Sequence, residues 1–234
     1  PGGGCRRLGI PPVKFTDGPR GVVMGNSTCF PSAALRASTF DPSLEYRIGT
    51  AIAKEAIAQD ANLFAGVCIN LARNPRWGRT QESYGEDPFV LGSFGSALAK
   101  AVQDKGVIAC VKHFAANNQE DNRNQVSSEL TERALREIYL RPFEIAVRKG
   151  GAKGIMTSYN RINGVFASEN PWLLTEVLRG DWGFEGYVMS DWGAVSDRVA
   201  RVKAGLDLEM PASGGFNDRK IVEAVRSGKL DEAV

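Results

Sequence analysis

Residues 186–193 read Gly-Tyr-Val-Met-Ser-Asp-Trp-Gly, an apolar run bounded by glycine that stops at Asp191 and Trp192. A run this short and this apolar is typical of a buried strand in a parallel sheet rather than of a helix. Asp191 then stands at the carboxyl end of the strand, where parallel sheets bind their ligands. The alternative is that Asp191 only caps the segment that follows, since aspartate is a preferred capping residue.

Outward from this stretch, the chain alternates between apolar runs and amphipathic segments. The predicted strands are 13–16, 63–69, 107–111, 154–157, 187–190 and 206–210. A capping residue followed by proline, a frequent helix start, opens three predicted helices, at Asp41-Pro42, Asp87-Pro88 and Asn170-Pro171. A fourth helix is predicted to begin at Thr131 and to kink at Pro142. The alternation indicates right-handed βαβ units around a parallel sheet.

The positions of the polar residues distinguish between the possible α/β folds. Every predicted strand is followed by polar or reactive side chains, namely Asp17, Asn70, Lys112, His113, Ser158, Tyr159, Asp191 and Glu209. An open sheet would gather such residues at one switch point, whereas a barrel collects them around one mouth. The sequence therefore favours a (β/α)8-type TIM barrel. Because a full barrel takes about 250 residues and eight units, the six visible units predict an incomplete or collapsed one.

Composition excludes several classes of function. The 234 residues are 43% hydrophobic and 24% charged, with a net charge of +2 and no basic stripe, so we expect no nucleic-acid binding. No apolar run reaches roughly 18 residues, so no membrane span is predicted. Four widely spaced cysteines and a single histidine predict no zinc site, and we expect no metal or cofactor. Cys68 and Cys110 lie in apolar runs and are predicted to be buried thiols.

The loop 73–87 combines Arg73, Arg76 and Arg79 with Trp77 and Tyr84. Arginine forks bind vicinal hydroxyls and hold carboxylates in place, which suits a carbohydrate pocket lined by aromatic rings. The alternative is a solvent-exposed charge run.

Lys112-His113 ends the third predicted strand, and a polar loop that includes Arg123 follows it. Both segments offer hydrogen-bond donors for ligand hydroxyls. The alternatives are a structural histidine and a turn-rich surface loop. A barrel enzyme that uses Lys112 as a Schiff base is a further alternative, although such a lysine needs an apolar pocket.

Five motifs occur in an order that resembles the barrel domain of glycoside hydrolase family 3, and within it the β-glucosidase branch. They are Phe-Thr-Asp-Gly-Pro-Arg-Gly at 15–21, Asn-Pro-Arg-Trp-Gly-Arg at 74–79 with Glu-Ser-Tyr-Gly-Glu-Asp-Pro at 82–88, Lys-His-Phe at 112–114, Met-Thr-Ser-Tyr-Asn at 156–160 and Val-Met-Ser-Asp-Trp at 188–192. Together they span nearly the whole chain.

The resemblance implies a retaining β-glycosidase that forms a covalent glycosyl-aspartate and releases β-D-glucose units from nonreducing ends. It makes Asp191 the nucleophile. It also implies a substrate-binding shell of Asp17, Arg79, Lys112, His113, Arg123 and Tyr159, with Met156 and Trp192 lining the sugar site. Arg79 and Lys112 are expected to keep Asp191 ionised, because nearby cations lower the pKa of a carboxyl group.

Two departures from the family pattern concern the acid/base residue and the chain ends. In the β-glucosidase branch this carboxyl group comes from a C-terminal α/β sandwich domain, whereas this chain ends at Val234. The branch that acts on N-acetylglucosaminides instead carries a histidine after Lys-His-Phe-Pro-Gly, where residues 115–118 here read Ala-Ala-Asn-Asn.

We therefore expect residues 1–234 to be a single barrel domain, truncated at both ends, with the missing C-terminal domain as its partner. The alternative function is an inactive barrel that binds sugar or a partner domain. If an acid lies within this chain, Glu86 and Glu120 are the first candidates.

Overall fold

The computed structural model describes residues 2–234, an α/β fold with a mostly parallel main sheet. The strands are β1 (Phe15–Thr16), β2 (Leu63–Cys68), β3 (Ile108–Phe114), β4 (Ser127–Ser128), β5 (Gly154–Thr157), β6 (Arg161–Ile162), β7 (Val165–Phe166) and β8 (Tyr187–Met189). The α-helices are α1 (Ala33–Ala37), α2 (Pro42–Ala58), α3 (Pro88–Gln103), α4 (Glu132–Ala134), α5 (Arg141–Arg148), α6 (Arg198–Ala204) and α7 (Phe216–Arg226). Residues Leu135–Tyr139 and Trp172–Asp181 are π-helical.

The main sheet contains β1, β2, β3, β5 and β8 in that order, and all neighbouring pairs within it are parallel. Five of the six predicted strands are thus confirmed. The prediction for 206–210 is wrong, because only a single parallel bridge joins Leu208 to Met189. The ladder stops there because the N–H of Met210 donates to the Ser190 hydroxyl, not to a strand carbonyl (2.8 Å).

A second, smaller sheet consists of β4, β6 and β7, which the sequence did not predict. Each of its strands is two residues long. A segment this short shows no alternation of apolar and polar residues, so no pattern announces it.

The predicted helix starts are confirmed by their capping hydrogen bonds. Asp41 accepts from Ser43 and Leu44, and the other three caps each accept from the residue three positions on: Asp87 from Val90, Thr131 from Ala134 and Asn170 from Leu173. No helix within residues 2–234 is long and apolar enough to cross a membrane.

The predicted irregularity near Pro142 takes the form of a π-helical turn. Residues Leu135–Tyr139 precede α5, and the N–H of Leu140 donates to the carbonyl of Leu135, five residues back (2.8 Å). Proline has no N–H to give to the carbonyl four residues before it, so a regular α-helix is interrupted here.

One face of the main sheet packs against helices and the other encloses a separate apolar cluster, which we call the floor. The floor consists of Leu63, Ala65, Cys110, Met156, Met189 and Met210. Phe15 from the edge strand β1 and Leu208, which lies beside the other edge strand, β8, both pack against the floor. The rings of Phe15 and Trp192 lie 4.8 Å apart between their centroids. The sheet is therefore curled, so that side chains from its two edges meet.

Both cysteines that were predicted to be buried are buried. Cys110 belongs to the floor. Cys68 ends β2, and burial raises the pKa of its thiol to about 12, so neither sulfur is a reactive thiolate near neutral pH.

A buried ion network joins α1 and α2 to the loop that follows β2. The Nε of Arg36 donates to Glu45 (2.9 Å), and the hydroxyl of Tyr84 donates to the same carboxylate (2.6 Å). Arg36 also donates to the carbonyls of Pro19 and Pro31. These contacts tie the loop after β1 and the loop after β2 to α1 and α2.

We expect Glu45→Ala to lower the free energy of unfolding by about 3–5 kcal/mol, because it leaves the Arg36 guanidinium buried without its carboxylate. Equilibrium urea unfolding measures this. The matched control is Arg133→Ala, which breaks the exposed Arg133–Glu137 pair and should leave the midpoint nearly unchanged. Equal midpoints for the two variants would show that the buried network does not contribute.

Candidate active site

The carboxyl ends of β1, β3 and β8 bring four predicted site residues together, at the edge of the sheet that we call the mouth. Asp17 directly follows β1, Lys112 and His113 lie near the end of β3, and Asp191 comes two residues after β8. The ammonium of Lys112 lies 2.7 and 2.9 Å from the two Asp17 oxygens. The Lys112 side chain is 3% exposed and that of Asp17 39% exposed. The ion pair thus stands with its acid facing the mouth.

Lys112 is not poised as a Schiff-base lysine. Its nitrogen contacts both oxygens of Asp17, whereas a nucleophilic lysine needs an apolar pocket. The contact argues against the aldolase alternative.

Asp191 is buried and only half satisfied. Its Oδ1 accepts from the N–H of Trp192 (2.7 Å), whereas its Oδ2 has no hydrogen-bond partner within residues 2–234. The capping alternative is wrong, because the helix that follows, α6, is capped by Asp197 instead. A buried carboxylate oxygen without a partner costs free energy unless a ligand completes it.

Burial raises the pKa of Asp191, and neighbouring groups oppose that shift. The N–H of Trp192 and the charges of Lys112 and Arg79 each favour the ionised carboxylate. The two cations therefore act in the predicted direction, but burial outweighs them. The pKa of Asp191 therefore lies above its ordinary value, although both cations lower it as expected.

His113 is buried between Asn70 and Asp191. Its Nδ1 lies 2.9 Å from the Asn70 Oδ1, and its Nε2 lies 3.6 Å from the Asp191 Oδ2. The second distance would mark an ion pair only if the ring were protonated. Burial lowers the pKa of His113 well below its ordinary value, as do the charges of Arg79, Lys112 and Arg123. The ring is therefore neutral near pH 7, and the contact with Asp191 is not an ion pair.

The arginine-rich loop divides into a site portion and a solvent portion. Arg79 binds both oxygens of Glu82 (2.9 and 2.8 Å) and is largely buried, whereas Arg73 and Arg76 are exposed. The carbohydrate-pocket interpretation therefore suits only Arg79, and the charge-run interpretation suits only Arg73 and Arg76. Tyr84 belongs to the buried ion network and not to the mouth.

Tyr159, Trp192 and Arg123 form the opposite side of the mouth. The Tyr159 hydroxyl donates to the carbonyl of Trp192 (2.8 Å), and the Arg123 guanidinium lies 4.1 Å from the centre of the Tyr159 ring. Burial and the charge of Asp191 raise the pKa of Tyr159, so it remains a donor. The Trp192 side chain is 43% exposed, which leaves an apolar surface open at the mouth.

Glu120 holds this side of the mouth in place. One of its oxygens accepts from the Trp77 indole (2.9 Å) and the other from Arg123 (2.6 Å). Both oxygens of Glu120 are thus occupied by protein donors, so neither is free to face a leaving group. The other candidate acid, Glu86, is exposed beside the start of α3.

Met156 lies in the floor beneath the charged residues and is 2% exposed. It supports the base of the site from inside the sheet, and its contact with a sugar stays a prediction.

The sequence did not predict the roles that three residues play around the site. Glu82 and Glu120 orient Arg79 and Arg123, and Asn70 binds His113. The two glutamates lie three residues from their arginines, a spacing that signals such pairs. Asn70 directly follows the predicted strand 63–69, which placed it at the mouth without identifying its partner.

The chain belongs to glycosyl hydrolase family 3, whose N-terminal domain matches residues 5–234. It is 48% identical to the thermostable β-glucosidase B of Acetivibrio thermocellus and covers 32% of that protein with 97% of its own length. It is also 46% identical to an exo-α-(1→6)-L-arabinopyranosidase of Bifidobacterium breve, with 98% of this chain and 32% of that protein covered.

Among solved structures, the chain is similar to β-glucosidase 3B from Thermotoga neapolitana in complex with glucose. The TM-score is 0.94 and the identity 42%, over 99% of this chain and 35% of that one. The chain thus spans about a third of the length of the relatives it matches.

We expect Asp191 to remain protonated to a higher pH than an ordinary aspartate, since burial raises its pKa. Lys112→Met should raise that pKa further, because it removes a charge that favours the carboxylate. Carboxyl 13C NMR titration measures both values. Lys54→Met, at an exposed lysine, is the control and should leave the titration of Asp191 unchanged. A lower pKa of Asp191 in Lys112→Met would show that the charge of Lys112 does not favour the carboxylate.

Proposed function

We propose that this chain is the (β/α)8-type barrel domain of a retaining β-glycosidase that acts on nonreducing-end β-D-glucosides. The observation that carries the proposal is the unpartnered Oδ2 of Asp191, buried at the mouth beside Lys112, Arg79 and His113. This is the arrangement that a carboxylate nucleophile requires: one oxygen anchored by the N–H of Trp192 and the other free for substrate.

In the proposed reaction, Asp191 Oδ2 attacks the anomeric carbon while the bond from that carbon to the leaving oxygen breaks. The product is a glycosyl ester, which water then hydrolyses with the regeneration of Asp191. Asp17 accepts hydrogen bonds from sugar hydroxyls, and Lys112, Arg79, Arg123 and Tyr159 supply donors. Trp192 offers its exposed face to the apolar side of the ring.

A retaining mechanism needs a second carboxyl group about 5–5.5 Å from the nucleophile to protonate the leaving oxygen. The carboxylates at the mouth within residues 2–234 are engaged with cations: Asp17 with Lys112, Glu82 with Arg79 and Glu120 with Arg123. We propose that the acid/base comes from outside this chain, in a C-terminal domain of the complete protein. The length of the relatives supports this.

A second candidate substrate is an α-L-arabinopyranoside, because the Bifidobacterium relatives that act on it match this chain nearly as well as the β-glucosidases. Arabinopyranose lacks the exocyclic CH2OH of glucose and differs at C4. Comparing kcat/KM of the complete protein for the two 4-nitrophenyl glycosides discriminates between the candidates. Activity on neither glycoside would favour the alternative, an inactive sugar-binding barrel.

We expect Asp191→Asn to lower the turnover of an aryl β-glucoside by several orders of magnitude, because an amide does not form the glycosyl ester. The fold should persist, as circular dichroism and the melting temperature would report. Asp197→Asn is the matched control: it lies six residues away, and asparagine caps α6 as well as aspartate does. Turnover near the wild-type level in Asp191→Asn would refute the nucleophile assignment.

We expect residues 1–234 alone to cleave cellobiose hardly at all, while 2,4-dinitrophenyl β-glucoside retains measurable turnover. A sugar alkoxide needs a proton to leave, and general acid catalysis contributes roughly 10² to 10⁴-fold, whereas dinitrophenolate leaves without one. Adding the remainder of the complete protein in trans should restore cellobiose cleavage. The control is the same chain with Asp191→Asn. Brisk cleavage of cellobiose by residues 1–234 would place the acid within them.

A further inference from the structure

Asn70 is buried at the end of β2 and makes three contacts with one residue, His113. Its Oδ1 accepts from the backbone N–H of His113 (2.7 Å), and its Nδ2 donates to the backbone carbonyl of His113 (2.8 Å). A backbone N–H only donates and a carbonyl only accepts. The orientation of the Asn70 amide is therefore determined by chemistry, without the ambiguity that asparagine side chains usually carry.

That orientation also determines where His113 holds its proton. The same Asn70 Oδ1 lies 2.9 Å from the Nδ1 of the ring. An amide oxygen has no hydrogen to give, so the Nδ1 must carry one. In a neutral imidazole the Nε2 then carries none and presents a lone pair.

We propose that Asn70 is a positioning residue that holds His113 in the Nδ1–H tautomer, so that Nε2 serves as a hydrogen-bond acceptor inside the site. The use of that acceptor rests on the proposed function: it receives a hydroxyl hydrogen from the sugar, at a mouth where Lys112, Arg79 and Arg123 offer only donors.

The tautomer also protects the nucleophile. The Nε2 of His113 faces the free Oδ2 of Asp191 at 3.6 Å. The opposite tautomer would direct an N–H at this oxygen, and the partial positive charge of that N–H would stabilise the carboxylate before it attacks. By accepting a hydrogen bond from Nδ1–H on the far side of the ring, Asn70 leaves the lone pairs of Oδ2 available to the anomeric carbon.

All the charged neighbours of His113 except Asp191 favour the neutral form of its ring. Arg79, Lys112 and Arg123 contribute positive charge, and Asp191 alone contributes a negative one at close range. Asn70 is uncharged, so it orients the ring without drawing a second proton onto it. An aspartate in its place would orient the ring equally well but would favour the imidazolium.

The test reads the tautomer directly, by 15N NMR of the complete protein labelled at histidine, with the His113 signals identified by their loss in His113→Gln. Protonated and unprotonated ring nitrogens resonate in well-separated ranges. We expect a protonated Nδ1 and a bare Nε2 in the ligand-free protein. A bare Nδ1 in the wild type would overturn the proposal, whatever the activity.

Two variants separate orientation from mere support of the fold. Asn70→Leu removes the acceptor at similar volume, and we expect the proton to move to Nε2 and kcat/KM to fall about 10- to 100-fold. Asn70→Asp keeps an acceptor at Nδ1, so the tautomer should persist above the pKa of the ring, with a larger share of activity retained there. Asn124→Leu, at an exposed asparagine, is the control.

The outcomes distinguish this inference from the proposed function. An unchanged Nδ1–H tautomer in Asn70→Leu would overturn the inference. If Asn70→Leu does not fold, the wild type and Asn70→Asp still decide, since loss of the Nδ1–H tautomer in Asn70→Asp would overturn it as well. The expected spectra in a protein that hydrolyses no glycoside would support the role of Asn70 and refute the glycosidase proposal.

Discussion

Parallel strands place all their carboxyl ends at one edge of a sheet, and the positions of Asp17, Lys112 and Asp191 depend on that constraint. The ion pair between Asp17 and Lys112 exists because β1 and β3 lie on either side of β2 and end at the same edge of the sheet. Below this level the same strands point apolar side chains at one another, from Cys110 on β3 and Met189 on β8. The change from apolar to charged along each strand creates a reactive surface on a dry base.

The cations of the mouth are individually matched to carboxylates. Lys112, Arg79 and Arg123 each bind a different acid, with nitrogen–oxygen distances of 2.6 to 2.9 Å. Such pairing fixes the long side chains before a ligand arrives, which reduces the entropy that binding must overcome. Asp191 is the exception, since its Oδ2 faces a neutral imidazole instead of a cation. The site thus combines a frame of paired charges with one carboxylate that has no cation bound to it.

Much of the fold was predictable because its signals are local. Caps such as Asp87-Pro88 and apolar runs such as 154–157 are recognisable from a few consecutive residues, and both are confirmed. The failure at 206–210 has a nonlocal cause, since the Ser190 hydroxyl takes the N–H of Met210 that a ladder would need. The candidate site residues were predictable as a set from strand ends. Their partners were not, because the contact between Asn70 and His113 joins residues 43 positions apart, and the pKa of Asp191 follows from burial, which no motif encodes.

The floor beneath the mouth is built largely from sulfur-containing side chains. Met156, Met189 and Met210 meet Cys110 there, with its Sγ only 3.4 Å from the Sδ of Met189. Methionine is unbranched and polarisable and changes shape at little cost. The base of this site is therefore plastic while its rim is rigid. Sequence changes can therefore alter the shape of the base at little cost, whereas the paired charges keep the geometry of the rim constant.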